Sequence, residues 1–124
     1  KWFPDDVDVD AAPEELVAEF VREKLFLNLR EELPHSVGVL CEGIEFTDDD
    51  HATIEATILV EREGQKGIVV GRGGQMIKRV GTQARRDIER LLNCKVYLDL
   101  TVRVQPQWRR DAREIRRRGY AAEE

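Results

Sequence analysis

The chain has 124 residues, 41% of them hydrophobic and 36% charged, with a net charge of −5 and two cysteines. That describes one polar-surfaced globular domain, not a disordered chain, and large enough for its own core without a staple. Its longest apolar runs, such as TILV and GIVVG, are far below the roughly 18 residues of a membrane span.

The start, KWFPDDVDVD, is acidic and lacks the apolar stretch of a signal peptide. It also lacks an initiating Met, so a piece of a longer protein is expected. Next, PEELVAEFVREKLFLNLREEL places Pro13 in the first turn with Glu14 and Glu15 beside it, as a helix start prefers. Leu16, Phe20 and Leu27, with Val17, Val21, Leu25 and Leu29, recur at helical spacing, predicting one amphipathic helix stopped by Pro34.

Val37, Val39 and Cys41 alternate as a strand does, but Ile44 and Phe46 fall on the other parity, so a bulge or strand end is expected around Gly43. DDDHA reads as a polar turn. In the following strand Ile54, Ala56, Ile58 and Val60 share one face, opposite Thr53, Glu55, Thr57 and Glu61. REGQK then reads as a turn into GIVVGRGGQMIKRVG, which holds five glycines in fifteen residues.

Beyond those glycines, Met76, Ile77, Val80, Ala84, Ile88, Leu91 and Leu92 mark the buried face of a long helix, with Lys78, Arg79, Arg85, Arg86 and Arg90 elsewhere on its circumference. Asn93 suits its C-cap. Val96, Leu98, Leu100, Val102 and Val104 alternate in a third strand closed by Pro106, and QWRRDAREIRRRGY predicts a short basic helix ending at Gly119. The order predicts an α+β domain over 1–124, helices on one face of a three-stranded sheet, with a lead-in segment at about 1–12 and a basic tail at about 106–124.

Charge is split along the chain. Residues 1–64 carry 5 Lys and Arg against 18 Asp and Glu, a net of −13; residues 65–124 carry 15 against 7, a net of +8. A basic half with a glycine loop inside it points to a polyanion, against the simpler reading of a solvated surface. The acidic half either limits indiscriminate binding or faces another protein.

The loop fails as a phosphate cradle. No glycine in it begins GxxxxGK followed by Ser or Thr, and GxGxxG from Gly71 lacks its last glycine. What remains is G-x-x-G, Gly71 to Gly74, before a helix whose opening amides favour negative charge. The alternative is a tight turn with glycines for sterics only. Gly81, mid-helix at a cost of about 1 kcal/mol relative to Ala, is expected to allow close packing of two backbones. Cys41 and Cys94 have no metal-ligand spacing and read as reduced structural thiols, and His35 and His51 as solvated. An enzyme built on Cys41, His35 or Asp99 finds no paired spacing to support it, so no catalytic and no metal residue is assigned.

At ILVEREGQKGIVVGRGGQMIKRVGTQARRDIE, Ile58 to Glu89, the chain resembles the KH domain that closes the Era family of bacterial ribosome-assembly GTPases. FPDD, VREKLFLNLREELPHSV and VRVQPQWRRDAREIRRRGY extend the resemblance over nearly the whole chain. It implies a type II KH fold that clamps about four nucleotides of single-stranded RNA, near the 3′ end of small-subunit ribosomal RNA, during assembly of the 30S subunit. By motif position, Gly71, Arg72, Gly73 and Gly74 would hold the RNA backbone, Ile68, Val70 and Ile77 would line a groove, and Lys66, Lys78 and Arg85 would add charge. Relatives often have Lys where this chain has Gly73, so Arg72 supplies the loop's charge alone. The resemblance also implies a GTPase domain before Lys1, which would take GTP and magnesium while this domain takes no cofactor, and a cytoplasmic protein with room for peripheral association at the inner membrane. The alternative setting is a KH domain of another ribosomal or transcription protein, binding single-stranded RNA or DNA.

Overall fold

The computed structural model describes residues 11–111 and 113. In chain order it contains α1 (Pro13–Leu29), a 3-10 turn at Arg30–Glu32, β1 (Gly38–Asp48), β2 (His51–Val60), α2 (Glu63–Val70), a 3-10 turn at Arg72–Gly74, α3 (Gln75–Leu92) and β3 (Lys95–Val104). The sheet runs β1-β2-β3. A tight hairpin makes the first pair antiparallel, whereas the α2–α3 crossover returns the chain parallel to β2. This is the expected α+β, type II KH order.

The core lies between the sheet and the helices. Val17, Val21 and Leu25 of α1, Ile54, Ile58 and Val60 of β2, Val69 of α2, and Val80, Ala84 and Ile88 of α3 are fully buried and form one cluster. Burying each of the larger side chains contributes roughly 1.5–3 kcal/mol. α1 is tied to α3 by polar contacts as well: Lys24 Nζ lies 2.7 Å from Asp87 Oδ2, and Asn28 Nδ2 donates to Gln83 Oε1 at 2.7 Å. Burial pulls the Lys24 ammonium down, but its bonds to Asp87 and Glu23 together outweigh that and hold its pKa above the usual lysine value.

Several expectations shift by a turn. α1 ends at Leu29, well before Pro34, because Arg30 takes a positive φ of 52° and the 3-10 turn follows. The Arg30 guanidinium then sits 5.5 Å from the centre of the Phe26 ring. Leu27, expected in the core, is 45% exposed; the buried stripe runs through Val17, Val21, Leu25 and Leu29, which leaves Leu27 on the rim beside α3. The hairpin turn is shorter than DDDHA, since Asp48 pairs with His51 and both belong to strands. REGQK is not a turn either. Glu63 opens α2, and the Gln65 side chain accepts the Glu61 and Arg62 N–H groups at 3.0 and 3.1 Å, capping the helix start.

The bulge around Gly43 is present: register slips between Cys41 and Gly43, after which Ile44 pairs with Ile54 and Phe46 with Ala52. Asn93 caps α3 with φ 55° and ψ 43°. Cys41 and Cys94 are free thiols, and burial pushes both pKa values up. Past β3, Trp108 packs its indole over Gly38, where any side chain would meet the ring, and its Nε1–H donates to the Ser36 carbonyl. Residues 108–111 are helical; the rest of the expected tail helix to Gly119, Arg113 apart, lies outside the described residues, as does the lead-in before Ala11. No helix among the described residues is long and apolar enough to cross a membrane.

Candidate nucleic-acid interface

The glycine loop joins α2 to α3 and its glycines do different work. At Gly71 φ is 77°, and a Cβ would stand 2.7 Å from Met76 Cβ and 2.8 Å from Met76 N. Real Cβ atoms do not approach so closely, so this position excludes every side chain. Gly73 and Gly74, with φ of 62° and 77°, have nothing within 4 Å of a built Cβ. There the left-handed backbone selects glycine, and the same absence of side chains leaves the main chain bare toward solvent.

Arg72 is the loop's one side chain beyond a hydrogen, and it is exposed. No side chain caps the opening turn of α3; the Gln75 N–H bonds back to the Arg72 carbonyl, and the amides that follow it in that turn keep their capacity to meet an anion. Both features act at short range on a chain that passes over the loop.

One turn into α3 a groove of about 450 Å³ opens between that helix and β3. Its helical wall is Ile77, Lys78, Gly81, Thr82 and Arg85; its strand wall is Val96, Tyr97, Leu98, Asp99 and Leu100. β3 is an edge strand, so apart from the Val96 N–H, which the Glu89 carboxylate accepts, the N–H and C=O groups it does not give to β2 have no strand partner among the described residues beside the groove. Tyr97 is 67% exposed there, a flat ring of the kind on which bases stack. The groove therefore combines an apolar floor, unpaired backbone polar groups and cations at its rim.

The structure brings some of the expected site residues together and leaves others apart. Gly71, Arg72, Gly73 and Gly74 form the loop, and Ile77, Lys78 and Arg85 line the groove. Ile68 and Val70 are on α2, outside that lining. Ile68 is exposed and Val70 packs partly on the core, while the neighbouring Val69 is the α2 residue fully buried. Lys66 is half-buried on α2. Arg72, Lys66 and Lys78 make no ion pair among the described residues, whereas Arg85 Nη1 lies 3.7 Å from Glu89 Oε2. That carboxylate is also held by the Val96 N–H at 2.8 Å, so it is anchored to β3 and only loosely engages Arg85.

Gly81 corrects its expectation. The nearest atom to a built Cβ is Leu100 Cδ1 at 3.5 Å, ordinary contact with a side chain, so no second backbone presses on it. Its bareness instead keeps the helical wall of the groove low. Sequence reasoning placed none of Thr82, Val96, Tyr97, Leu98, Asp99 and Leu100 in the groove. The one available signal was Tyr97, a large aromatic on the polar side of a strand. Cys41, His35 and Asp99 are not assembled: Cys41 is on β1, His35 is exposed before it, and Asp99 is on β3 with β2 between.

The chain matches the KH domain family over residues 32–109. Among solved structures it is similar to Era in complex with MgGDPNP and nucleotides 1506–1542 of 16S ribosomal RNA, at 40% identity and a TM-score of 0.79 over 92% of this chain and 38% of that one. It is equally similar to a substituted Aquifex aeolicus Era bound to GDP.AlF4-, at 40% identity and a TM-score of 0.78, with the same coverage of 92% and 38%. The chain thus spans well under half the length of these solved relatives. With the G-x-x-G loop between α2 and α3 and a family match that runs from the end of α1's 3-10 turn through β3, the chain belongs to the KH domain family.

Proposed function

We propose that this domain binds single-stranded RNA along the glycine loop and the α3–β3 groove, and that it is the RNA-binding, non-catalytic part of an Era-like ribosome-assembly GTPase. The observation that carries the reading is the loop at the head of the groove: bare backbone and Arg72 for phosphates, then an apolar floor with free edge-strand groups for bases. The similarity to Era in complex with 16S ribosomal RNA supports the 3′ end of small-subunit RNA as the ligand. In that setting GTP and magnesium belong to a separate GTPase domain, and the protein works in the cytoplasm on the small ribosomal subunit, with peripheral membrane association a further property to be assayed in whole cells.

The test is Arg72→Asp with Gly73→Asp, titrated against the 1506–1542 RNA by fluorescence anisotropy. Two added carboxylates at the loop repel phosphate, and Asp tolerates the left-handed region better than most residues. Affinity falls by about a hundredfold, equivalent to roughly 3 kcal/mol, while thermal unfolding stays within a few degrees. A variant that binds like the parent would show that the loop is not the site. A DNA strand of the same sequence, run in parallel, reports whether the ribose 2′-OH matters, and a phosphate-loop motif encoded upstream of Lys1 is required by the Era assignment.

A further inference from the structure

The outward face of α3 carries a second cationic feature that the groove does not use. Arg79, Arg86 and Arg90 fall within an arc of about 40° at 100° per residue and span about 16 Å of helix. All three are exposed and make no ion pair or hydrogen bond among the described residues. The helix has only two carboxylates of its own, and both are engaged elsewhere: Asp87 is paired with Lys24 at 2.7 Å, and Glu89 is held by the Val96 N–H and Arg85. The outer face is left with uncompensated positive charge. It borders a shallow groove of about 370 Å³ against α1, where Arg86 and Arg90 stand with the exposed side chain of Leu27 and the Asn28–Gln83 amide pair.

We propose that Arg79, Arg86 and Arg90 form a second track for RNA phosphates, engaging the backbone that flanks the segment held in the α3–β3 groove. The proposal rests on the RNA-binding reading above. Continuity favours RNA as the occupant. Lys78 and Arg85 line the groove, and their sequence neighbours Arg79 and Arg86 lie about 100° further round the helix, so a strand leaving the groove over α3 passes from one set of cations to the other. Arg79 and Arg86 lie about 10 Å apart along the helix axis, and Arg86 and Arg90 about 6 Å, so each can meet a separate phosphate.

The test compares two RNAs by fluorescence anisotropy: a strand of about four nucleotides, enough to fill a KH groove, and the same strand extended with uridines on both sides. The Arg79→Ala, Arg86→Ala, Arg90→Ala triple variant binds the extended RNA about tenfold or more weakly, and its salt slope falls by about 2, near 0.7 for each lost single-strand contact. Its affinity for the short strand stays within about twofold of the parent's by the same counting. The triple Lys variant retains the parent's slope, because phosphate contacts need charge above geometry. Alanine favours helix, so unchanged thermal unfolding accompanies these effects. The track is overturned if the triple Ala variant binds the extended RNA with the parent's affinity and slope, or if both RNAs weaken equally, which would place the arginines in the groove. Failure of the parent to bind either RNA would instead overturn the RNA-binding reading itself, and this one with it.

Discussion

β2 and β3 are written in the same alternating code and used in opposite ways. Ile54, Ala56, Ile58 and Val60 of β2 are all buried, because β2 is the central strand and the helices cover its whole apolar face. On β3, Val96 and Val102 are buried, but Leu98 and Leu100 between them are only partly covered and floor the groove. The difference shows that an apolar alternation specifies a face and not its occupant: the protein completes the cover over β2 and leaves the middle of β3 partly open.

The sharpest way to break this comparison is to truncate one residue in each strand. Ile58→Ala removes a fully buried side chain from the central strand and lowers stability by about 3 kcal/mol in urea denaturation, within the range of such core truncations. Leu100→Ala costs at most about 1 kcal/mol, since its side chain is only half enclosed, yet it weakens RNA binding severalfold. Equal destabilisation by the two would mean that the middle of β3 is ordinary core.

Gly71→Ala ranks next. It brings a Cβ against Met76 at a positive φ, and about 1–3 kcal/mol is lost, read as a lower thermal midpoint. Gly81→Ala serves as the contrast, since its Cβ finds normal contact with Leu100 and helix propensity gains up to about 1 kcal/mol. It leaves the fold intact or firmer while narrowing the groove, so RNA affinity falls as stability holds. A loss of stability there would restore the close-packing reading.

The smallest effect lies at the far end of β2. The Asp48 carboxylate accepts the Asp50 N–H at 2.8 Å and lies 2.9 Å from His51 Nδ1, and the bond to His51, ahead of that to Asp50, lowers its pKa below the usual carboxylate value. A lowered folded value means that any stabilisation is present above the unfolded carboxylate pKa and is lost as pH falls through the folded value. NMR titration finds Asp48 below the usual carboxylate value in the parent and closer to it in His51→Ala. An unchanged value would show that the Asp50 amide alone sets it.

Local pattern was sufficient for most of the architecture. The order of elements, the bulge at Gly43, the Asn93 cap and the core of β2 follow from periodicity and turn chemistry that act over a few residues. The loop Gly71 to Gly74 was legible for the same reason, since the left-handed conformation of Gly73 and Gly74 and the crowding at Gly71 are local properties. Residue identity along the chain also established the segregation of charge and the family resemblance.

Tertiary structure alone decided what those elements face. Nothing in LDLTV distinguishes the middle of a covered strand from the floor of a groove until β3 is placed at the sheet edge with α3 beside it. The role of Gly81 likewise depends on Leu100, nineteen positions away. The two cationic sides of α3 share one helical sequence and are told apart by their neighbours: β3 flanks Lys78 and Arg85, whereas Lys24 of α1 takes Asp87 and leaves Arg79, Arg86 and Arg90 without an ion pair among the described residues. Pairings of that kind join residues distant in sequence, and the physical reason they escape a linear reading is that packing, not local propensity, brings them together.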